Sequence, residues 1–302
     1  MNDNIDNNWI IGCGSIGQRI GHRLITDGQC VNTLTHSHER IPTLNSEGFN
    51  GTFGDLDNPD TLVNLDFSHA KIFYLAPPPS EGEVDSRIQN FIAALKTRSA
   101  PKKIVYISTT GVYGNSNGNW INESTPLEPA NARSMRRLDA ETALQDYTSE
   151  HGTLLAILRV VGIYCSDKLP LKRIDSGLKI LKTSIAPSSN RIHGDDLANI
   201  SIRAMQLNHS TILNVADGNP SSISDYFIKT AKVFNLTPPT EIDWDEANKT
   251  LSPGMLSYLR ESKKIDPTLM LNTLNYQLMY PTLDDGLKEC FDSLKHSQKN
   301  LL

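Results

Sequence analysis

Trp9-Ile10-Ile11-Gly12-Cys13-Gly14-Ser15-Ile16-Gly17 is the stretch on which the reading of this chain turns. Three apolar residues read as a short strand that ends at Gly12. Ile16, Ile20 and Leu24 then recur every fourth position, which places them on one stripe of a helix. Asp27-Gly28 stops that helix. The three glycines have separate tasks: Gly12 makes the tight turn, Gly14 lets backbone approach a diphosphate, and Gly17 lets helix and strand pack closely. A helix start carries unpaired N–H groups and the positive end of the helix dipole, so an anion is favoured there. Strand, loop and helix in this order predict a dinucleotide, NAD(P), held by Gly12, Cys13, Gly14, Ser15, Ile16 and Gly17.

Outward from the loop, short apolar runs alternate with segments of helical period, the pattern of βαβ units and a parallel sheet. Further strands are expected at Cys30–Thr35, Asn50–Phe53, Lys71–Ala76, Lys103–Ile107, Leu154–Val161 and Thr211–Val215. One helix should carry Ile88, Phe91, Ile92 and Leu95 on one face, and another should span Asp195–Leu207. Two stretches break the rhythm. One is 165–190, with Pro170, Gly177 and Pro187; the other is the chain after Ala216, punctuated by Pro238-Pro239, Pro253 and Pro267. The expected fold class is therefore α/β: a Rossmann-type doubly wound parallel sheet with a smaller, discontinuous C-terminal substrate domain. Residues 1–164 and 191–216 are assigned to the first, and 165–190 and 217–302 to the second. Within the smaller domain Trp244, Met255 and Tyr258 read as core or pocket lining, and Lys263-Lys264 as a solvated charged pair.

Composition narrows the partners. A chain of 302 residues, 38% apolar and 21% charged, can bury a full core. Its formal net charge of −5 offers no basic surplus to displace counterions from nucleic acid. Met1–Asp6 is polar and acidic, unlike a secretory or mitochondrial leader, and no apolar run approaches the roughly 18 residues of a membrane span. A cytoplasmic protein acting on a small molecule, without a membrane or nucleic-acid partner, is the expectation. Cys13, Cys30, Cys165 and Cys290 lie far apart, with no CxxC and no nearby histidine pair, so reduced thiols and no metal site are expected.

At the end of the second strand an NAD-specific site usually places a carboxylate for the ribose 2′-hydroxyl. Here the segment is Thr35-His36-Ser37-His38-Glu39-Arg40. Polar neutral residues at His36 and Ser37, with Arg40 close enough to meet a 2′-phosphate, favour NADP over NAD, while Glu39 keeps NAD open.

Beyond the loop, the chain resembles the extended short-chain dehydrogenase/reductase family, the NAD-dependent epimerase/dehydratase group, from Trp9 to about Leu287. The resemblance rests on several segments in order. Gly54-Asp55-Leu56 is similar to the family's GDL turn, which implies Asp55 at the adenine amino group and Leu56 against the ring. Leu75-Ala76-Pro77 resembles the strand end beside the ribose, so Ala76 and Pro77 would touch cofactor. Ser108-Thr109-Thr110-Gly111-Val112-Tyr113-Gly114 is similar to the S-[ST]-x-x-V-Y-G segment, which puts Thr109 at the catalytic hydroxyl and Ser108 beside the cofactor. Leu158–Tyr164 and Arg191–Ala198 resemble the LRxxxIYG strand and the xIHVxDLA segment. The resemblance also leaves a homodimer open, since family members commonly pair two helices as a bundle.

One departure is large. The family's Tyr-x-x-x-Lys pair falls on Arg133 and Arg137 when the helix is matched through Asp139-Ala140-Glu141. A guanidinium stays charged and cannot act as general acid or base near neutral pH, although Arg137 could donate hydrogen bonds to a ribose. Three readings follow. An NAD(P)-dependent oxidoreductase or epimerase-like enzyme would need a displaced acid/base, for which Tyr113 and His193 are the candidates beside Thr109. A protein that binds NADP(H) without turnover would serve as a regulator or sensor. A structural protein with no nucleotide is disfavoured by the intact glycine loop. The substrate stays open between a sugar nucleotide and another carbonyl compound. A nucleotide-sugar 4,6-dehydratase is disfavoured, because Thr110 and Gly111 stand where such enzymes carry an Asp-Glu pair.

Overall fold

Apolar residues two apart on a strand point to one face of a sheet, and this alternation organises the first part of the computed structural model, which describes residues 7–299. Met1–Asp6, read above as no leader, lies outside the described residues, as do residues 300–302. Strands β1 (Asn8–Ile11), β2 (Val31–Thr35), β3 (Asn50–Phe53), β4 (Lys71–Tyr74), β5 (Lys103–Thr109), β6 (Leu154–Val160) and β7 (Thr211–Val215) form one parallel sheet in the order β7-β6-β5-β4-β1-β2-β3. In register, Trp9 lies opposite Asn32 of β2 and Ile72 of β4. The order reverses at β1, where the chain leaves for β2 on one side and returns to β4 on the other. In such sheets the crevice beyond the strand ends at the reversal is where ligands bind.

Helices α1 (Ser15–Thr26), α2 (Arg40–Ser46), α3 (Ser86–Leu95), α4 (Ala132–His151) and α5 (Gly194–Gln206) connect these strands. On one sheet face Trp9, Ile11, Ile72, Tyr74, Ile104 and Tyr106 pack with Ile88 and Phe91 of α3 and with Ala140 and Leu144 of α4 in one buried cluster. Each fully buried large side chain there is worth about 1.5–3 kcal/mol of transfer free energy. On the other face α1 approaches closely, since a Cβ added at Gly17 would stand 3.0 Å from the Ile10 side chain. The predicted strands are all present, with edges moved by one or two residues. β4 ends at Tyr74 rather than Ala76, although the Leu75 N–H still donates to the Ile11 carbonyl at 2.7 Å.

By contacts the chain divides into two units. The first runs through Val112 and adds Pro129–Arg159 and Leu197–Leu213. The second comprises Tyr113–Glu128, Val160–Asp196 and the chain from Asn214. The boundaries read from the sequence place 113–128, 160–164, 191–196 and 214–216 with the sheet. By contacts they group with the second unit: Trp120–Ile121 pairs with Lys264–Ile265, and Gly162–Tyr164 pairs with Arg191–His193. The second unit also contains the pair Thr240–Ile242 and Lys179–Leu181, and helices α6 (Ile223–Val233), α7 (Trp244–Thr250), α8 (Pro253–Leu259), α9 (Thr268–Leu274) and α10 (Leu283–Lys299). Its core joins Tyr164, Ile180, Phe227, Leu259, Leu287 and Cys290, with Trp244 and Met255 packed against it. Lys263 corrects the solvated-pair expectation. It is buried, its Nζ contacts the Gly114 carbonyl, and it pairs with Glu261 at 3.0 Å. Among the described residues no helix is long and apolar enough to cross a membrane.

Candidate functional site

The glycine loop sits where β1 ends. Gly12 has φ +93°, and a Cβ there would stand 2.5 Å from the Ala76 backbone nitrogen, so only glycine fits between β1 and β4. At Gly17 a Cβ would lie 2.9 Å from the Gly12 carbonyl, which is the close helix-to-strand approach the sequence anticipates. Gly14 differs from both, because a Cβ there would meet nothing within 4 Å. It is the N-cap of α1, with extended backbone, no side-chain cap and no acidic residue in the first turn. That combination keeps the helix start open to an anion.

Beside the loop lies a cavity of about 370 Å³. It brings together Gly12, Cys13 and Gly14 with His36 and Arg40, with Asp55 and Leu56, and with Ala76 and Pro77. Arg40 reaches over the loop, its Nη2 donating to the Cys13 carbonyl at 2.9 Å. Cys13 itself is buried, and burial pushes its thiol up to about 12, so it is no nucleophile at neutral pH. Ser15, Ile16 and Gly17 form the first turn of α1, and the Ser37 N–H donates to Thr35 Oγ1. One residue escaped the sequence reading. Arg87, at the start of α3, lines the cavity, grips Asp57 with two hydrogen bonds of 2.8 and 2.6 Å, and donates to the Pro77 carbonyl at 3.0 Å. The guanidinium beside Asp57 holds that carboxyl below its ordinary range. The Arg87 clamp ties the turn after β3 to the end of β4, a long-range pairing that no local motif announces.

At the end of β5 the side chains separate by role. Thr109 is half-buried, and its Oγ1 accepts from the Gly111 N–H at 3.1 Å. Ser108, expected beside the cofactor, is buried and donates its hydroxyl to Glu141. Glu141 also takes Arg159 Nε at 3.1 Å and Nη2 at 2.6 Å, a desolvated ion pair that fixes α4 against β5 and β6. Arg137 donates Nη1 to the Ile107 carbonyl at 3.0 Å and to the Tyr106 hydroxyl at 3.2 Å, whereas Arg133 is exposed on the first turn of α4.

The two proton-transfer candidates lie in the second unit. Tyr113 is buried, and its hydroxyl donates to Asn214 Oδ1 at 2.8 Å. His193 is also buried, with Nε2 3.0 Å from Glu289 Oε2 and the Tyr280 ring centred 4.2 Å away. Both side chains are thus engaged in packing and hydrogen bonding within that unit.

Residues 9–111 match the family model of the TrkA-N domain. No curated protein sequence matches the chain. Among solved structures, a functionally unknown conserved protein from Silicibacter pomeroyi is similar at a TM-score of 0.78 and 24% identity, over 96% of this chain and 99% of that one. The UDP-glucose 4-epimerase of Thermotoga maritima, solved with UDP-glucose, reaches 0.78 at 17% identity, over 97% and 99%. The UDP-glucuronic acid 4-epimerase of Bacillus cereus, in complex with NAD, reaches 0.73 at 18% identity, over 97% and 98%. The fold is the one these epimerase structures share.

Proposed function

We propose that the chain is an NAD(P)-binding protein of the oxidoreductase and epimerase type, acting on a small molecule such as a sugar nucleotide or another carbonyl compound. The observation that carries this reading is Gly14. It caps the helix with no side chain, faces open space, and stands beside a cavity edged by Arg40 and the Gly54-Asp55-Leu56 turn. These residues fit a pyridine dinucleotide. Gly12 and Gly14 give the diphosphate close approach to backbone N–H groups, Asp55 and Leu56 offer an acceptor and an apolar surface for the adenine, and Arg40 offers a charge to a 2′-phosphate. Bound there, the nicotinamide would supply hydride transfer. The chain's own contribution at the end of β5 is the Thr109 hydroxyl and the rigid backbone held by Glu141 and Arg159. NADP is preferred over NAD on the strength of Arg40. The similarity to structures that hold UDP-glucose or NAD supports the ligand classes.

A second reading, retention of NADP(H) without turnover, is favoured by one observation. Tyr113 and His193 are buried with their polar atoms engaged, which agrees with the sequence match that aligns Arg133 with the family's tyrosine. Loss of a positioned acid/base removes assistance worth typically about 10²–10⁴ in rate. Single-turnover mixing of the NADPH-bound protein with a panel of aldehydes, ketones and nucleotide sugars separates the two. Loss of NADPH absorbance above the protein-free rate supports the enzyme; a bound, unconsumed cofactor supports the sensor.

A further inference from the structure

The strand Arg191–His193 and helix α10 bring three metal-ligating atoms together in the second unit: His193 from the strand, and the sequence neighbours Glu289 and Cys290 from the helix. His193 Nε2 stands 3.0 Å from Glu289 Oε2 and 3.6 Å from Cys290 Sγ, and all three atoms lie within 4.8 Å of one another. His193 and Cys290 are buried, and the Glu289 side chain is about one quarter exposed, at 24%. From this geometry we propose a zinc site in which His193 Nε2, Glu289 Oε2 and Cys290 Sγ are the protein ligands and a solvent oxygen is the fourth.

The spacings suit the ion. A tetrahedral zinc with ordinary bond lengths holds nitrogen and sulfur ligands about 3.5 Å apart and nitrogen and oxygen ligands about 3.4 Å apart. The two pairs that His193 makes, 3.6 and 3.0 Å, need shifts of a few tenths of an ångström, and the Glu289–Cys290 pair lies within 4.8 Å. One imidazole, one thiolate and one carboxylate form a borderline-soft set that selects zinc over magnesium or calcium.

The surroundings resemble those of a ligand set. Asp195 Oδ2 stands 3.7 Å from His193 Nδ1, beyond hydrogen-bond length but on the side from which a second carboxylate orients a zinc-bound histidine. The Ser293 hydroxyl donates to the other oxygen of Glu289. Buried Asp196 accepts from the Tyr276 hydroxyl at 2.7 Å and from the Met279 and Tyr280 N–H groups at 2.8 and 3.0 Å, which sets the Tyr280 ring against His193. Glu289 and Tyr280 line a surface cavity of about 880 Å³ whose wall also carries Asp285 and Asp292 together with Lys288 and His296, so carboxylates outnumber the lysine at the entry.

Without metal, the Asp195 N–H donates to Nδ1 at 3.3 Å, a contact that in a neutral ring leaves the proton on Nε2, facing Glu289. Loading needs the proton moved from Nε2 to Nδ1, so the Asp195 N–H gives up its contact with Nδ1, the new Nδ1 proton turns toward Asp195 Oδ2, and the Cys290 thiol proton goes to solvent. One proton is released per ion.

Tag-free protein carrying Cys30→Ser, which removes the exposed thiol, is stripped with chelator and titrated with Co²⁺. The site predicts one cobalt per chain, a thiolate-to-cobalt charge-transfer band in the near ultraviolet, and displacement by one equivalent of Zn²⁺. Cys290→Ser abolishes the charge-transfer band. Glu289→Gln, a change on the one partly exposed member, weakens Co²⁺ binding about tenfold or more. Absence of the band in the parent protein, its persistence in Cys290→Ser, or unchanged affinity in folded Glu289→Gln overturns the proposal. The three side chains would then be a hydrogen-bonded latch of α10 alone.

Discussion

Replacing Gly14 with serine separates folding from binding. Gly14 is an N-cap at φ −87° and ψ −155°, a conformation serine adopts without strain, and a Cβ there meets nothing within 4 Å. Serine ranks at or above glycine as a cap, so stability should stay level or rise by a few tenths of a kcal/mol. Its hydroxyl would accept from the first-turn N–H groups, the donors the proposed diphosphate needs, and would occupy the space above them. A hydrogen bond to a charged acceptor contributes about 1.5–3 kcal/mol, so losing one weakens binding by about 10- to 150-fold. Thermal unfolding and an NADPH fluorescence titration on the same preparation read both effects. Gly12→Ala is the counterpart. With φ +93° and a Cβ 2.5 Å from the Ala76 nitrogen, it should cost about 2–5 kcal/mol of stability, from left-handed strain plus overpacking. A Gly14→Ser protein that unfolds like the parent and binds NADPH equally tightly would refute the cradle.

Three further outcomes are expected. Glu141→Ala takes the carboxylate away from the buried Arg159 guanidinium and should cost about 3–5 kcal/mol in urea unfolding, because both members of the pair are almost wholly buried. Arg40→Ala should weaken NADPH binding about tenfold or more and leave NADH nearly unchanged, measured by competition titration. Asp217 is buried, and desolvation raises its carboxyl from 3.8 to about 7, against the lowering pull of Arg191 and with Asp196 adding to the rise. The folded state therefore holds a proton that the unfolded chain has released between about pH 4 and 7. Stability falls as pH rises through that window, by up to about 1.4 kcal/mol per unit. Asp217→Asn should lose that slope, as measured by urea unfolding at pH 5 and pH 7.

The sheet was legible because its cause is local. Ile16, Ile20 and Leu24 on α1, and the apolar runs of β4 and β5, carry their periodicity in the sequence itself, and the glycine loop announces its own geometry. The short strands of the second unit were not legible. Pairs such as Trp120–Ile121 with Lys264–Ile265 are too brief for any alternation to register, and in this one the two strands lie well over a hundred residues apart. The same holds for side-chain partners. The Arg87 grip on Asp57 and the meeting of His193 with Glu289 exist only once distant segments are folded together. Lys263 reads as a surface charge until Gly114 and Glu261 surround it.

Calorimetric titration of the purified full chain with NADPH and with NADH, each to millimolar concentration, tests the central claim most directly. The account predicts one saturable site per chain with NADPH the tighter ligand. Absence of heat with both nucleotides, from protein that unfolds cooperatively, would contradict it and leave only the architecture standing.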